Sequence, residues 1–250
     1  MMAFDRAPNL LPGSHGQGPL SCLEPSVTTT AILIDGNYYL HRARKLWGNT
    51  SAADRAEELH GYALKHITAH RDTKLESGRR SLYRIFYYDC PPLSEGSVYQ
   101  PWDGKTRAFN KKTTSNAWSS AFHSSLGEKR KVAMRMGTLM AKNMHYSLKR
   151  ESLRGLLSGD VDVKSLSESD FHLVGLKQSG VDMRIGLDVA SLANSRTVDQ
   201  IILIAGDADF VPVAKVARRA GVDFLLDPMG HHITGEMQLN VDGIEDLTLQ

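Results

Sequence analysis

Along this chain, apolar residues gather into short runs that end on an aspartate. Residues 201–210 read Ile-Ile-Leu-Ile-Ala-Gly-Asp-Ala-Asp-Phe. An unbroken run of β-branched and aliphatic residues is the pattern of a strand buried on both faces. It stops at Gly206, and Asp207 and Asp209 follow at once. Residues 211–220 then read as a helix, with Pro212 in the first turn where a missing N–H costs little. The same order recurs near the start: 31–34 form a short buried strand, Asp35 ends it, and Gly36 and Asn37 turn the chain into a helix. Residues 81–89 make a β-branched and aromatic strand ending on Asp89, and 224–226 make another that runs into Asp227-Pro228. Residues 201–227 therefore predict strand, helix, strand, a compact parallel crossover.

Between these strands the periodicity changes. Residues 51–70 carry helical spacing (Ala56, Leu59, Ala63, Leu64, Ile67). His66 and His70 are an i, i+4 pair there, but no third ligand is at hand, and they read as surface histidines along with His60. The stretch 93–125 is loop-like, and its aromatics, Trp118 and Phe122 among them, read as a small satellite core. Residues 128–157 show helical spacing at Val132, Met136, Leu139, Met140, Met144 and Leu148. A polar linker (155–169) follows. Residues 181–183 suggest a short extended piece, 185–193 and 233–239 helices, and 247–249 a final edge strand. The first 28 residues, rich in Pro, Gly and Ser, predict a flexible arm. The main domain then spans 29–250, with a basic insertion at about 93–157.

In an open, mainly parallel α/β sheet, ligands bind outside the carboxyl ends of the strands. The strand-ending aspartates would all face that edge. Asp207 and Asp209 lie two residues apart and repel each other unless something cationic sits between them. Residues 181–190 add two more acids, Asp182 and Asp188. Six positions are about 600° on an ideal helix, so the two cannot share one helical face. Asp188 stands among Ile185, Leu187, Val189 and Leu192, where an unpaired carboxylate is costly to bury. It is the preferred metal-facing acid, with Asp182 as a cap or outer neighbour; the reverse assignment stays open. Oxygen-only ligands select Mg²⁺ or Mn²⁺ over Zn²⁺. Such a cation acidifies and orients a water and stabilises charge on a phosphate.

Composition bounds the reading. The 250 residues are 41% hydrophobic and 23% charged, ordinary for a globular chain of one sizeable domain. No apolar run approaches the roughly 18–20 residues that span a bilayer. With no signal layout and two cysteines outside any pairing motif, Cys22 and Cys90, a cytoplasmic protein with reduced thiols is expected. The net charge of +2 hides an asymmetry: residues 103–154 hold 12 Lys/Arg against 3 Asp/Glu, and 155–250 hold 7 against 15. A basic region beside an acidic one suits a protein that attracts a polyanion and holds cations. Lys105, Arg107, Lys111, Lys112, Lys129, Arg130, Lys131 and Arg135 are the candidate substrate contacts. No Walker loop, Gly-x-Gly-x-x-Gly or Gly-x-Ser-x-Gly is present, which argues against a nucleotide cofactor and against an α/β-hydrolase.

Three motifs carry a resemblance: Ile-Asp-Gly-Asn-Tyr (34–38), Gly-Val-Asp-Met-Arg-Ile-Gly-Leu-Asp-Val-Ala (180–190), and Ala-Gly-Asp-Ala-Asp-Phe-Val-Pro (205–212) followed by Gly-Val-Asp-Phe (221–224). Together, and in this order, they resemble the NYN domain family, relatives of the PIN-like nucleases that include a bacterial LabA-like branch. The resemblance implies a Rossmann-like α/β/α fold, a divalent-metal site and endoribonuclease activity on single-stranded or structured RNA. It assigns Asp35, Asp188, Asp207 and Asp209 as catalytic metal ligands, and Asn37 as a polar residue holding a metal-bound water. A non-catalytic regulator of the same fold, binding RNA or a protein, is the alternative. A phosphatase or DNA nuclease with the same metal chemistry is a third reading, and a homo-oligomer is compatible with the sequence.

Overall fold

The computed structural model describes residues 27–68, 79–92, 98–99, 107–108 and 114–249. In chain order the elements are β1 (Val27–Asp35), α1 (Gly36–Trp47), α2 (Ala52–Thr68), β2 (Arg79–Asp89), β3 (Val98–Tyr99), β4 (Arg107–Ala108), α3 (Thr114–Gly127), β5 (Val132–Met136), β6 (Thr138–Leu148), α4 (Arg150–Ser158), β7 (Phe171–Ser179), α5 (Val181–Asn194), β8 (Gln200–Ile204), α6 (Val211–Arg219), β9 (Asp223–Asp227), α7 (Gly235–Asn240) and β10 (Gly243–Ile244).

Six strands form one sheet in the order β10-β9-β8-β1-β2-β5, and every neighbouring pair in it is parallel. The alternation of side chains along β1 divides the core. Ala31 and Leu33 join the α5–α6 side, whereas Ile32 and Ile34 join Tyr39, Leu59, Tyr62 and Phe122 on the α1–α3 side. Helices thus cover both faces, as a sheet of purely apolar parallel strands requires. The chain grows from β1 towards β2 and β5, then returns to build β8, β9 and β10 on the other flank. The reversal falls between β1 and β8, and crevices at such switch points are where open α/β sheets place ligands.

Several expectations need correction. Residues 128–157 do not form one helix but β5, β6 and α4. The apolar spacing that suits a helix there also contains Val132, Met134 and Met136 at period two, and β5 completes the sheet edge beside β2. β6 pairs antiparallel with β7, a strand the sequence reading did not place. The expected loop at 93–125 includes α3, whose Trp118 and Phe122 rings stack at 5.3 Å within the α1–α3 core. Residues 181–183 open α5 instead of extending before it, and 247–249 form a 3₁₀ turn, the edge strand being β10. Residues 27 and 28, assigned to the arm, already belong to β1; the rest of the arm lies outside the described residues. Among the described residues no helix is long and apolar enough to cross a membrane.

Candidate metal centre

β1 delivers Asp35 to the carboxyl edge, where it caps α1: its Oδ1 accepts from the Tyr38 amide at 3.1 Å. Gly36 is required at this handover, because a Cβ would lie 2.5 Å from the Tyr87 ring and 2.6 Å from the Tyr88 carbonyl oxygen. One strand away, β8 ends at Ile204 and Gly206 passes under Tyr38, whose ring would sit 2.2 Å from a Cβ at that position. Asp207 then caps a 3₁₀ turn (Ala208–Phe210), with Oδ1 accepting from the Asp209 amide at 3.0 Å. Between the two strand ends lies a cleft of about 420 Å³ lined by Asp35, Asn37, Tyr38, His41, Gly206 and Asp207. It occupies the switch point. A larger cavity, about 580 Å³ around Lys215, Arg218 and Arg219, lies at the amino end of β9, away from these carboxylates.

The acids at this edge act on one another. Burial, opposed in part by the Tyr38 amide bond, pushes the Asp35 carboxyl up to about 6, and the charges of Asp182 and Asp89 add to the rise. Asp182 in turn is raised by burial and by Asp207 and Asp209. Asp182, exposed in the first turn of α5, therefore lies within electrostatic reach of Asp35, Asp207 and Asp209. Asp188 is engaged elsewhere. Its Oδ2 accepts from the Tyr88 hydroxyl and from Arg135 Nε, both at 2.8 Å, while the Arg135 guanidinium lies 5.1 Å over the Phe86 ring. Helical phase separates the two acids as expected, and it is Asp182 that shares the edge with the others. Among the described residues, no three His, Cys, Asp or Glu side chains are gathered closely enough to hold a metal ion as they stand. The donor chemistry still fits a hard cation: Mg²⁺ keeps several waters and is usually held by one or two carboxylates plus substrate phosphates.

Asp89, whose charge reaches Asp35, is not among the residues lining the cleft. It is buried, and its carboxylate accepts from the Tyr87 hydroxyl at 3.0 Å and the Cys90 amide at 2.7 Å, with His123 Nε2 at 3.0 Å. Asn37 is exposed at the start of α1, beside the cleft. The candidate substrate contacts that are described do not gather at the cleft. Lys105, Lys111 and Lys112 lie outside the described residues, and Arg107 falls on β4. Lys129 pairs with Glu57, Lys131 Nζ donates to the Leu82 carbonyl, and Arg130 is exposed. Register separates them from the acids. Val132 pairs with Ile85, which is level with Ile32, so the 129–131 cluster lies about 13 Å back from Asp35 at ~3.3 Å per residue. Arg135 is level with Tyr88 and Asp35.

His66 is not a surface histidine, as its spacing suggests, but fully buried. Its Nε2 meets Asp227 Oδ2 at 2.8 Å and its Nδ1 meets Glu245 Oε1 at 3.0 Å. Arg80 Nη1 donates to the same Glu245 oxygen at 2.7 Å, and the Tyr62 hydroxyl to Asp227 at 2.6 Å. A sequence signal did exist: His66 continues the apolar stripe Leu59, Tyr62, Ala63 of α2.

An all-parallel sheet covered by helices on both faces, with acids collected at its carboxyl edge, defines a Rossmann-like, PIN-like three-layer α/β/α protein. Residues 102–232 match the NYN domain, and the chain belongs to that family, part of the PIN-like superfamily with its nuclease-like fold. None of the curated proteins matches the chain. Among solved structures, a protein of unknown function from Vibrio parahaemolyticus RIMD 2210633 is similar, at 13% identity and a TM-score of 0.42, over 88% of this chain and 93% of that one.

Proposed function

We propose that this protein is a Mg²⁺- or Mn²⁺-dependent endoribonuclease acting on single-stranded or structured RNA. One observation carries the reading: the acids at the switch point act electrostatically on one another, and among the described residues no basic side chain is paired with them. Burial and the charges of Asp182 and Asp89 raise the Asp35 carboxyl, and burial and the charges of Asp207 and Asp209 raise that of Asp182, whereas the buried acids elsewhere, Asp227 and Glu245, are paired with His66 and Arg80. A cluster that costs stability and is paired with no Lys, Arg or His side chain among the described residues is most economically explained by an external cation and a phosphate. Asp35 and Asp207, lining the cleft, would hold the cation, with Asp182 and Asp209 completing its surroundings. Bound there, the cation would acidify a water and neutralise charge developing on the phosphate.

The chain's own groups supply the rest. The Asn37 amide, exposed beside the cleft, can orient the attacking water. Asp188 fixes Arg135 through Nε, leaving the outer guanidinium nitrogens to meet a backbone phosphate. This assigns Asp188 to orienting a cation and Asp182 to the metal cluster. Labelled single-stranded RNA, tRNA and DNA, each incubated with Mg²⁺ or Mn²⁺, test the reading: RNA is cut and EDTA stops it. Salt-dependent RNA binding without metal-dependent turnover would instead establish the non-catalytic regulator.

A further inference from the structure

His41 lines the cleft together with Asp35, Asn37, Tyr38, Gly206 and Asp207, and the proposed chemistry leaves it unused. It lies four residues after Asn37 and three after Tyr38 on α1, so the three share one helical face. Side chains on a helix lean towards its N-terminus. For α1 that end is Asp35, at the carboxyl edge of the sheet. The helix is firmly held there. Buried Arg42 donates through Nε and Nη2 to the Met229 carbonyl at 3.1 and 2.6 Å, and the Tyr38 hydroxyl donates to the Pro228 carbonyl at 2.6 Å. The His41 ring, by contrast, is exposed, and no hydrogen bond to another described residue holds it.

Cleaving a phosphodiester requires a proton for the departing oxygen, and a positioned acid contributes about 10²–10⁴-fold. Among the described residues lining the cleft, few can give one. Asp35 and Asp207 must be ionised to hold a cation, and the Asn37 amide is not an acid. The Tyr38 hydroxyl is committed to Pro228, and burial pushes its pKa up to about 12. An imidazole changes charge near neutrality. His231, which meets the Tyr38 ring edge-on at 6.5 Å, is not among the lining residues.

We infer that His41 is the general acid of the cleft, giving a ring proton to the oxygen that leaves phosphorus. The role rests on the nuclease reading above. In the step, the water oxygen forms a new bond to phosphorus and gives up a proton to solvent as the bond to the leaving oxygen breaks. That oxygen departs with the electron pair and takes the imidazolium proton, and the ring recovers a proton from solvent.

The test compares wild type with His41→Gln on two RNA oligonucleotides in Mn²⁺. One is unmodified. In the other, sulfur replaces the leaving oxygen, which is identified from the ends of the wild-type products. A thiolate leaves without protonation. His41→Gln is expected to cut the unmodified RNA about 10²–10⁴-fold more slowly and the sulfur substrate at close to the wild-type rate, with RNA binding in EDTA unchanged. An equal defect on both substrates, or none on the unmodified RNA, overturns the role of His41 alone. A wild-type chain that cuts neither substrate overturns the nuclease reading and this role with it.

Discussion

Asp35 and Asp227 both end a buried parallel strand at the same edge of the sheet, and their surroundings are opposite. Asp227 is closed in: His66 and the Tyr62 hydroxyl bond its Oδ2, the Met229 amide donates to its Oδ1 at 2.8 Å, and no surface is exposed. Beyond His66 the network continues through Glu245 to Arg80. Asp35 opens on a cleft, and the charges of Asp182 and Asp89 act on its carboxylate. The same local pattern, apolar strand then aspartate, therefore serves two purposes. Where the fold supplies the cation, the acid ties α2 to β9 and to the segment after β10. Where it does not, burial and then the neighbouring acids disfavour the carboxylate, a cost that a bound cation would relieve.

The largest expected effect comes from opening the closed network. His66→Ala leaves Asp227 and Glu245 buried without their shared partner, and breaking a buried pair in this way costs about 3–5 kcal/mol. Urea unfolding should show a loss of that size. A midpoint close to wild type would mean the network is not what holds this side of the sheet.

Asp35→Asn should do the reverse. A carboxyl raised from 3.8 to about 6 is destabilised as an anion, so removing its charge should stabilise the metal-free protein by on the order of 2–3 kcal/mol. The gain should appear in EDTA and shrink as Mg²⁺ is added, because the cation stabilises only the ionised form. Equal midpoints in EDTA would show that burial and neighbouring charge do not penalise the Asp35 carboxylate.

The two regions also differ in the sign of their pH dependence. For Asp35 the folded pKa is raised, so its contribution to stability falls as pH rises from 3.8 through about 6. Burial acts against the charge of Glu245, but bonds from His66 and Arg80 outweigh it and hold the carboxyl at about 2. Its contribution is present above 4.5 and lost as pH falls towards 2. For His66, burial opposes the charge and the bonds to Asp227 and Glu245 win, raising its pKa. That contribution is complete below 6.5 and lost as pH climbs through the higher folded value. Unfolding midpoints of wild type and Glu245→Gln across pH 2–5 check the acid arm, which should flatten in the variant.

The smallest change is expected from Asp188→Asn. It weakens the bond to Arg135, a pair with Arg135 still 42% exposed, and about 1 kcal/mol is the most such a partly solvated pair contributes. Cleavage should persist with weaker RNA binding. Abolished turnover would return Asp188 to the metal cluster and displace Asp182.

Strands buried on both faces were legible because nothing but a continuous apolar run satisfies two cores at once, as in β1 and β8. Asp35, Asp207 and Asp209 followed from them, each fixed by the end of its strand. The half-exposed strands were not legible. β5 shows helical and period-two spacing together, and the partner of β6 begins at Phe171, 23 residues beyond its end at Leu148, so local pattern could not decide. The choice between Asp182 and Asp188 depended on where α5 begins, which propensity around Gly180 leaves open. His66 was misread because its compensation comes from Asp227 and Glu245, more than 160 positions away.

Asp207 offers the most direct test, since it is exposed, lines the cleft and, among the described residues, bonds only to the short turn that it caps. Labelled RNA should be cut by wild type in Mg²⁺ or Mn²⁺ and left intact in EDTA. Asp207→Asn should lower the rate on the order of 10³-fold, the loss of several kcal/mol of transition-state stabilisation, with its unfolding midpoint unchanged. An Asp207→Asn protein that cuts RNA at the wild-type rate would contradict the assignment of this cleft.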